Sequence, residues 1–147
     1  MQPKITVMLV MSRERRLLLL ETLEVSGIDV LPACDCNEAR RTLETQLQVQ
    51  VVLTDRVLPD GDWRAVLEIV AQDRANVQVV VCSRLGDHTL LIDVLEQGAY
   101  DVLVEPYQRE EVRRVLEAAA ARSYIRSRSL VPTTTYKTKA ARPASAA

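Results

Sequence analysis

The sequence has no phenylalanine, and aromatic residues make up only 3% of its 147 positions. A core must therefore be assembled from Leu, Val, Ile and Ala. Histidine is represented by His88 alone, in a stretch that reads as the loop before a helix, so a surface or capping role is expected there and catalysis built on His is not. Cysteine is scarce and odd in number: Cys34, Cys36 and Cys82. The spacing of Cys34 and Cys36 lacks the two-residue gap of a zinc knuckle and no second pair follows, which leaves buried or incidental thiols as the reading. Long apolar runs are also missing. The opening MQPKITVMLVMS holds an apolar run too short to span a bilayer and no small-residue cleavage site. A cytoplasmic chain without membrane contact is the expectation.

What is present suits one globular domain: 48% hydrophobic and 27% charged residues on a chain long enough for a single substantial core. The net charge of -1 hides an asymmetry. Residues 122–147 carry six Lys or Arg and no acid, leaving 13 basic against 20 acidic residues in the rest. Nucleic-acid contact through Arg122, Arg126, Arg128, Lys137, Lys139 and Arg142 is a conceivable use of that tail. These charges are spread thinly, with Tyr124 and Tyr136 the only aromatics among them, so a solvated tail is the plainer reading and nucleic acid is not an expected partner.

Along the chain, apolar runs alternate with segments of helical period. Ile5–Met11 reads as a strand, followed by a helix marked by Leu17, Leu20 and Leu23 and stopped at Gly27. Ile28–Ala33 is a second strand. Asp35 and Glu38 form a capping box for a helix facing inward through Ala39, Leu43 and Leu47. Val49–Thr54 is the third strand, apolar enough to be covered on both faces. A helix burying Trp63, Val66, Leu67 and Val70 follows, then a strand over Val77–Cys82. Asp87 or Thr89 caps a helix through Leu90, Leu91, Val94 and Leu95 that ends at Gly98. Tyr100–Val104 is the fifth strand; Glu105-Pro106 breaks the chain, and Val112, Val115, Leu116 and Ala119 mark the last helix. Five strands alternating with five helices imply right-handed crossovers, a parallel sheet and a three-layer α/β domain over residues 1–125. Residues 126–147 read as a disordered basic tail.

In such a sheet, ligands and chemistry collect at the carboxyl ends of the strands. Asp55 stands at one of those ends and Ser83 at the next. A strand-end carboxylate is commonly a turn or capping residue, but an Asp and a hydroxyl converging at one edge can also bind an anionic group.

Three stretches, LTDRVLPDGDW around Asp55, VVVCSRLGD at Ser83 and LEQGAYDVLVEPYQREEV near the end, carry a resemblance that extends over residues 4–122. The chain resembles the CheY-like receiver domain of two-component response regulators. The resemblance implies a flavodoxin-like (βα)5 fold with strand order 2-1-3-4-5 and a phosphoacceptor at Asp55, which would take the phosphoryl group from a histidine kinase by carboxylate attack. It also implies Ser83 as the hydroxyl that contacts that group. Other family positions are substituted. The acidic pair that holds Mg²⁺ falls on Val10 and Met11, which would leave a metal with Asp55, a backbone carbonyl such as that of Val57, and water. Glu14 is a candidate substitute, although a solvated surface role is the plainer one for it. The family's Lys falls on Glu105, whose charge would repel a phosphoryl group by on the order of several kcal/mol at about 4 Å. The aromatic switch position is Val102; Tyr100, two residues earlier, is expected on the same side of the strand.

These substitutions lead to an expected atypical receiver, acting through protein contact with weak or no phosphorylation at Asp55 and without a resident metal. The alternative is a conventional phospho-accepting, stand-alone receiver that uses Mg²⁺. Expected partners are a histidine kinase or an output protein. A homodimer could form through the face of the fourth helix, fifth strand and fifth helix, with Leu90, Leu91, Val94, Tyr107, Val112 and Arg113 as candidates that compete with core roles. An enzyme is not expected: a strand-end phosphatase wants a second acid where Val57 stands. No output domain is expected in the chain left after the fifth helix, so the expectation is either a stand-alone regulator or a fragment whose output lies elsewhere.

Overall fold

The computed structural model describes residues 4–23, 27–84 and 88–130. In chain order the elements are β1 (Ile5–Val10), α1 (Arg13–Leu23), β2 (Ile28–Ala33), α2 (Cys36–Thr45), β3 (Val51–Asp55), β4 (Val57–Leu58), β5 (Gly61–Asp62), α3 (Trp63–Asp73), β6 (Gln78–Ser83), α4 (His88–Glu96), β7 (Asp101–Val104) and α5 (Arg109–Leu130). The main sheet is parallel, in the order β2-β1-β3-β6-β7. With the short antiparallel ribbon of β4 and β5 set aside, this is the flavodoxin-like order the resemblance implied.

Alternation along the strands divides the interior into two layers. Met8, Val10, Val52, Val79 and Val81 face α2, α3 and α4, where Ala39, Leu43, Trp63, Val66, Ile69, Leu90 and Val94 complete the cluster. Val7, Leu9, Val51, Leu53, Val80 and Cys82 face the other way, onto Leu19 and Leu23 of α1 and Val112, Leu116 and Ala119 of α5. Both layers are built mainly from aliphatic residues, with Trp63 in the layer facing α2–α4, as the composition required.

The ends of the helices follow their sequence signals. Asp35 Oδ1 accepts from the Glu38 N–H at 2.8 Å, while Glu38 Oε1 accepts from the N–H of Cys34 at 2.7 Å, one residue ahead of the usual box. Asp62 caps α3 by accepting from the N–H groups of Arg64 and Ala65. Gly98, at φ 101°, turns the chain out of α4 in a conformation that a side chain would strain.

Several inward faces differ from the sequence expectation. In α1 the buried residues are Arg15, Leu19 and Leu23, four apart, while Leu17 is exposed and Leu20 half-buried. Four consecutive leucines leave the phase of that helix open, and packing on the sheet selects it. Leu47 is exposed because α2 stops at Thr45, and in α3 Ile69 is buried where Leu67 is only half-buried. In α4 Leu95 is exposed and Leu91 half-buried. α4 begins at His88, which puts Thr89 inside the helix; Asp87 lies outside the described residues. α5 runs on to Leu130, through residues 126–130 that composition groups with the tail. Tyr136, Lys137, Lys139 and Arg142 lie outside the described residues.

Candidate functional site at the carboxyl edge of the sheet

The strand register brings the candidate residues to neighbouring ends. Asp55 pairs with Cys82 across β3 and β6, and Ser83 pairs with Val104 across β6 and β7. The Glu105 N–H donates to the Ser83 carbonyl at 2.9 Å, which fixes the start of the β7–α5 loop beside β6. Asp55, Ser83 and Glu105 thus lie along one edge.

The residue that joins Asp55 to Glu105 is one the sequence reading did not name. Arg15 leaves the first turn of α1, whose start is tied by the Arg15 N–H donating to Ser12 Oγ at 3.3 Å. Its side chain is only 9% exposed. The guanidinium presents one edge to Asp55, with Nε 3.3 Å from Oδ2 and Nη2 3.4 Å from Oδ1. Its Nη1 lies 2.8 Å from Glu105 Oε2. That contact is an ion pair by distance; no N–H is aligned on the buried oxygen. The two carboxylate side chains are 21% and 24% exposed, and Asp55 Oδ1 also accepts the Arg56 N–H at 2.8 Å. The Arg15 guanidinium thus places a positive charge between Glu105 and Asp55, against the repulsion expected at Glu105.

Beneath this cluster lies the buried thiol of Cys82. Burial pushes it up to about 12; a hydrogen bond with Tyr107 and the charge of Arg15 oppose the shift, while Asp55 and Glu105 add to it. The Tyr107 hydroxyl is likewise pushed well above its ordinary value, chiefly by burial.

The loop after Asp55 is clamped to α2. Asp60 accepts from the Cys36 N–H at 2.8 Å and the Asn37 N–H at 3.1 Å. The Cys36 N–H bond is the main cause holding the Asp60 carboxyl below the usual range. Gly61 lies so close that a Cβ there would sit 3.1 Å from Cys36 Sγ, and burial, followed by Asp60, pushes that thiol up to about 11.

The remaining candidates fall outside the cluster. Val10 and Met11 are 0% and 1% exposed, Val10 in the layer facing α2–α4 and Met11 in the layer facing α1 and α5. Their side chains offer no oxygen to a cation, and the Met11 carbonyl accepts from Arg16. Glu14 is exposed; the partner that α1 sends to Asp55 is the next residue, of opposite charge. Val57 is 70% exposed. Among the described residues no three His, Cys, Asp or Glu side chains converge as metal ligands.

Val102 packs on the α2–α4 layer but Tyr100 packs on the opposite one. Tyr100 precedes β7, outside the strand whose alternation was used to place it. On the expected docking face, Leu90, Val94 and Val112 are core residues, Leu91 and Tyr107 are half-buried, and Arg113 is exposed. The large apolar residues that α4 exposes are Ile92 and Leu95. Arg122, Arg126 and Arg128 are exposed on α5, with Arg128 Nη1 donating to the Tyr124 hydroxyl at 3.2 Å. No helix of the described residues is long and apolar enough to cross a membrane.

Comparison with known proteins gives a consistent picture. The family described as "Response regulator receiver domain" matches residues 12–117. The chemotaxis protein CheY of Listeria monocytogenes is 32% identical over 76 residues, 51% of this chain; the match spans 63% of that protein, less than two thirds of its length. CheY of Bacillus subtilis is 26% identical over 103 residues, 70% of this chain and 83% of that protein. In structure, the signal receiver domain of an HD domain-containing protein from Pseudomonas fluorescens superposes with a TM-score of 0.77 at 21% identity, covering 88% of this chain and 96% of that one.

Proposed function

Because the chain belongs to the response regulator receiver domain family, we propose that it is an atypical two-component signalling receiver that works through protein contact, with little or no phosphorylation at Asp55. The observation that carries this reading is the burial of Val10 and Met11, the positions of the acidic pair in the resemblance. Phosphoryl transfer to a carboxylate gathers negative charge that a metal or a cation must offset. Here the metal's expected ligands are apolar, and the expected Lys is Glu105. The partner is read as a protein, either a histidine kinase or an output protein, and the domain as a binding module rather than an enzyme. The α4–β7–α5 face, with Ile92 and Leu95 exposed on α4, is the first surface to test for a partner or a second copy.

Conventional phospho-acceptance remains the second reading, because Asp55 and Ser83 still occupy neighbouring strand ends. Incubation of the native chain with acetyl phosphate and Mg²⁺, followed by intact mass measurement, separates the two. The proposal expects no mass gain; a Mg²⁺-dependent gain of one phosphoryl group overturns it.

A further inference from the structure

We propose that Arg15 is a built-in cation: it takes the electrostatic place of a divalent ion in the carboxyl-edge crevice and, as a positioning residue, holds Asp55 and the β7–α5 loop in one arrangement. This deepens the reading above and rests on it for the location of the site.

The placement is imposed by the fold. Arg15 stands four residues before Leu19 and eight before Leu23 on the buried stripe of α1, so the packing that docks this helix aims its first turn at the strand ends. A cation with a side chain 9% exposed is tolerated only where opposite charges receive it. Both receivers are carboxylates from distant parts of the chain, and neither makes an ion pair with any other cation among the described residues.

The shape of the group matters as much as its charge. β1, which leads into α1, and β7, which leads into Glu105, are separated in the sheet by β3 and β6. A planar guanidinium has two usable sides. One meets both oxygens of Asp55 and the remaining nitrogen meets Glu105, so one side chain joins the ends of non-adjacent strands. Glu105 has a purpose in this arrangement: it is the second anion that a built-in cation balances, where a lysine would have been driven away from Arg15.

An alternative is that Arg15 merely fills space with its long stem. Arg15→Met keeps most of that stem and removes the charge. Thermal unfolding of the native chain should be unmoved by about 10 mM Mg²⁺. Arg15→Met should melt roughly 10 °C lower, and Mg²⁺ should raise it by about 4 °C as the two released carboxylates take up the ion. The triple variant Arg15→Met/Asp55→Asn/Glu105→Gln should regain most of the loss and ignore Mg²⁺. If Arg15→Met does not fold at all, recovery of folding in the triple variant supports the proposal. A triple variant as unstable as Arg15→Met, or an Arg15→Met protein no more responsive to Mg²⁺ than the native chain, overturns it. Those melts contain no phosphodonor, so an inert native chain combined with an unresponsive Arg15→Met defeats this inference alone. Phosphorylation of the native chain defeats the reading before it.

Discussion

Two arginines hold opposite edges of the same sheet, and they hold them through different kinds of acceptor. Arg74, just after α3, gives its guanidinium to backbone carbonyls before β3: Leu43 and Gln46 at 3.4 and 3.3 Å, Leu47 and Val49 at 2.6 and 3.1 Å. Arg15, at the carboxyl edge, gives its own to the side chains of Asp55 and Glu105. Backbone carbonyls are present whatever the sequence, and the last ones of a helix need donors in any protein. Carboxylates at strand ends are a choice of side chain. The amino edge is therefore held by a structural device, and the carboxyl edge by an arrangement of charged side chains at Asp55 and Glu105.

Removing each arginine sharpens that contrast. Arg15→Met leaves two partly buried carboxylates facing each other and should cost about 3 kcal/mol in urea unfolding, toward the lower end for a broken buried pair because both partners retain some exposure. Arg74→Met should cost less, about 2 kcal/mol, since the freed carbonyls at a loop regain water. No carboxylate substitution should restore it, and Mg²⁺ should leave it unchanged. Equal rescue of both variants by Asp55→Asn/Glu105→Gln would erase the distinction.

A smaller effect, confined to alkaline solution, probes the floor of the carboxyl edge. The Cys82 thiol is raised from 9.0 to about 12, first by burial. The folded chain thus keeps the proton that the unfolded chain releases. Stability from this group is complete below pH 9 and declines as pH rises toward 12, by at most about 1.4 kcal/mol per pH unit. Cys82→Ala should flatten that decline in urea midpoints measured between pH 8 and 11, while leaving the contribution of Arg74 untouched. An unchanged alkaline slope would mean that Cys82 does not carry it.

Much of this was legible in the residues. Apolar runs such as VVLTD and QVVVCS, short and rich in Val, read as strands covered on both faces, and the glycines and caps between periodic segments mark the helix ends, so the alternating α/β order followed. Asp55 and Ser83 were legible as strand-end residues, while Glu105 was brought to the same edge only by the resemblance, as the position of the family's Lys. Arg15 was missed for a specific reason. Leu17, Leu18, Leu19 and Leu20 satisfy several helical phases at once, and only packing against the sheet shows which phase buries Arg15. A signal was available: two acids brought to one edge of the sheet favour a cation between them, and Arg13, Arg15 and Arg16 open the helix that follows β1 at that edge. Tyr100 failed for a related reason, since alternation of faces holds only inside a strand and β7 starts one residue later. The docking face erred through amphipathic geometry. Leu90 and Val94 are four apart on the buried side of α4, which leaves Ile92 and Leu95 outside.

The central claim is that Arg15, rather than a divalent ion, supplies the positive charge at Asp55. Titration of the ¹⁵N-labelled native chain with Mg²⁺, and then with beryllofluoride as a phosphoryl mimic, tests it most directly through the amide signals of Asp55, Arg56, Ser83 and Glu105. The account predicts that these signals stay in place through both additions. Saturable shifts at those residues, arising with Mg²⁺ and growing with beryllofluoride, would contradict it.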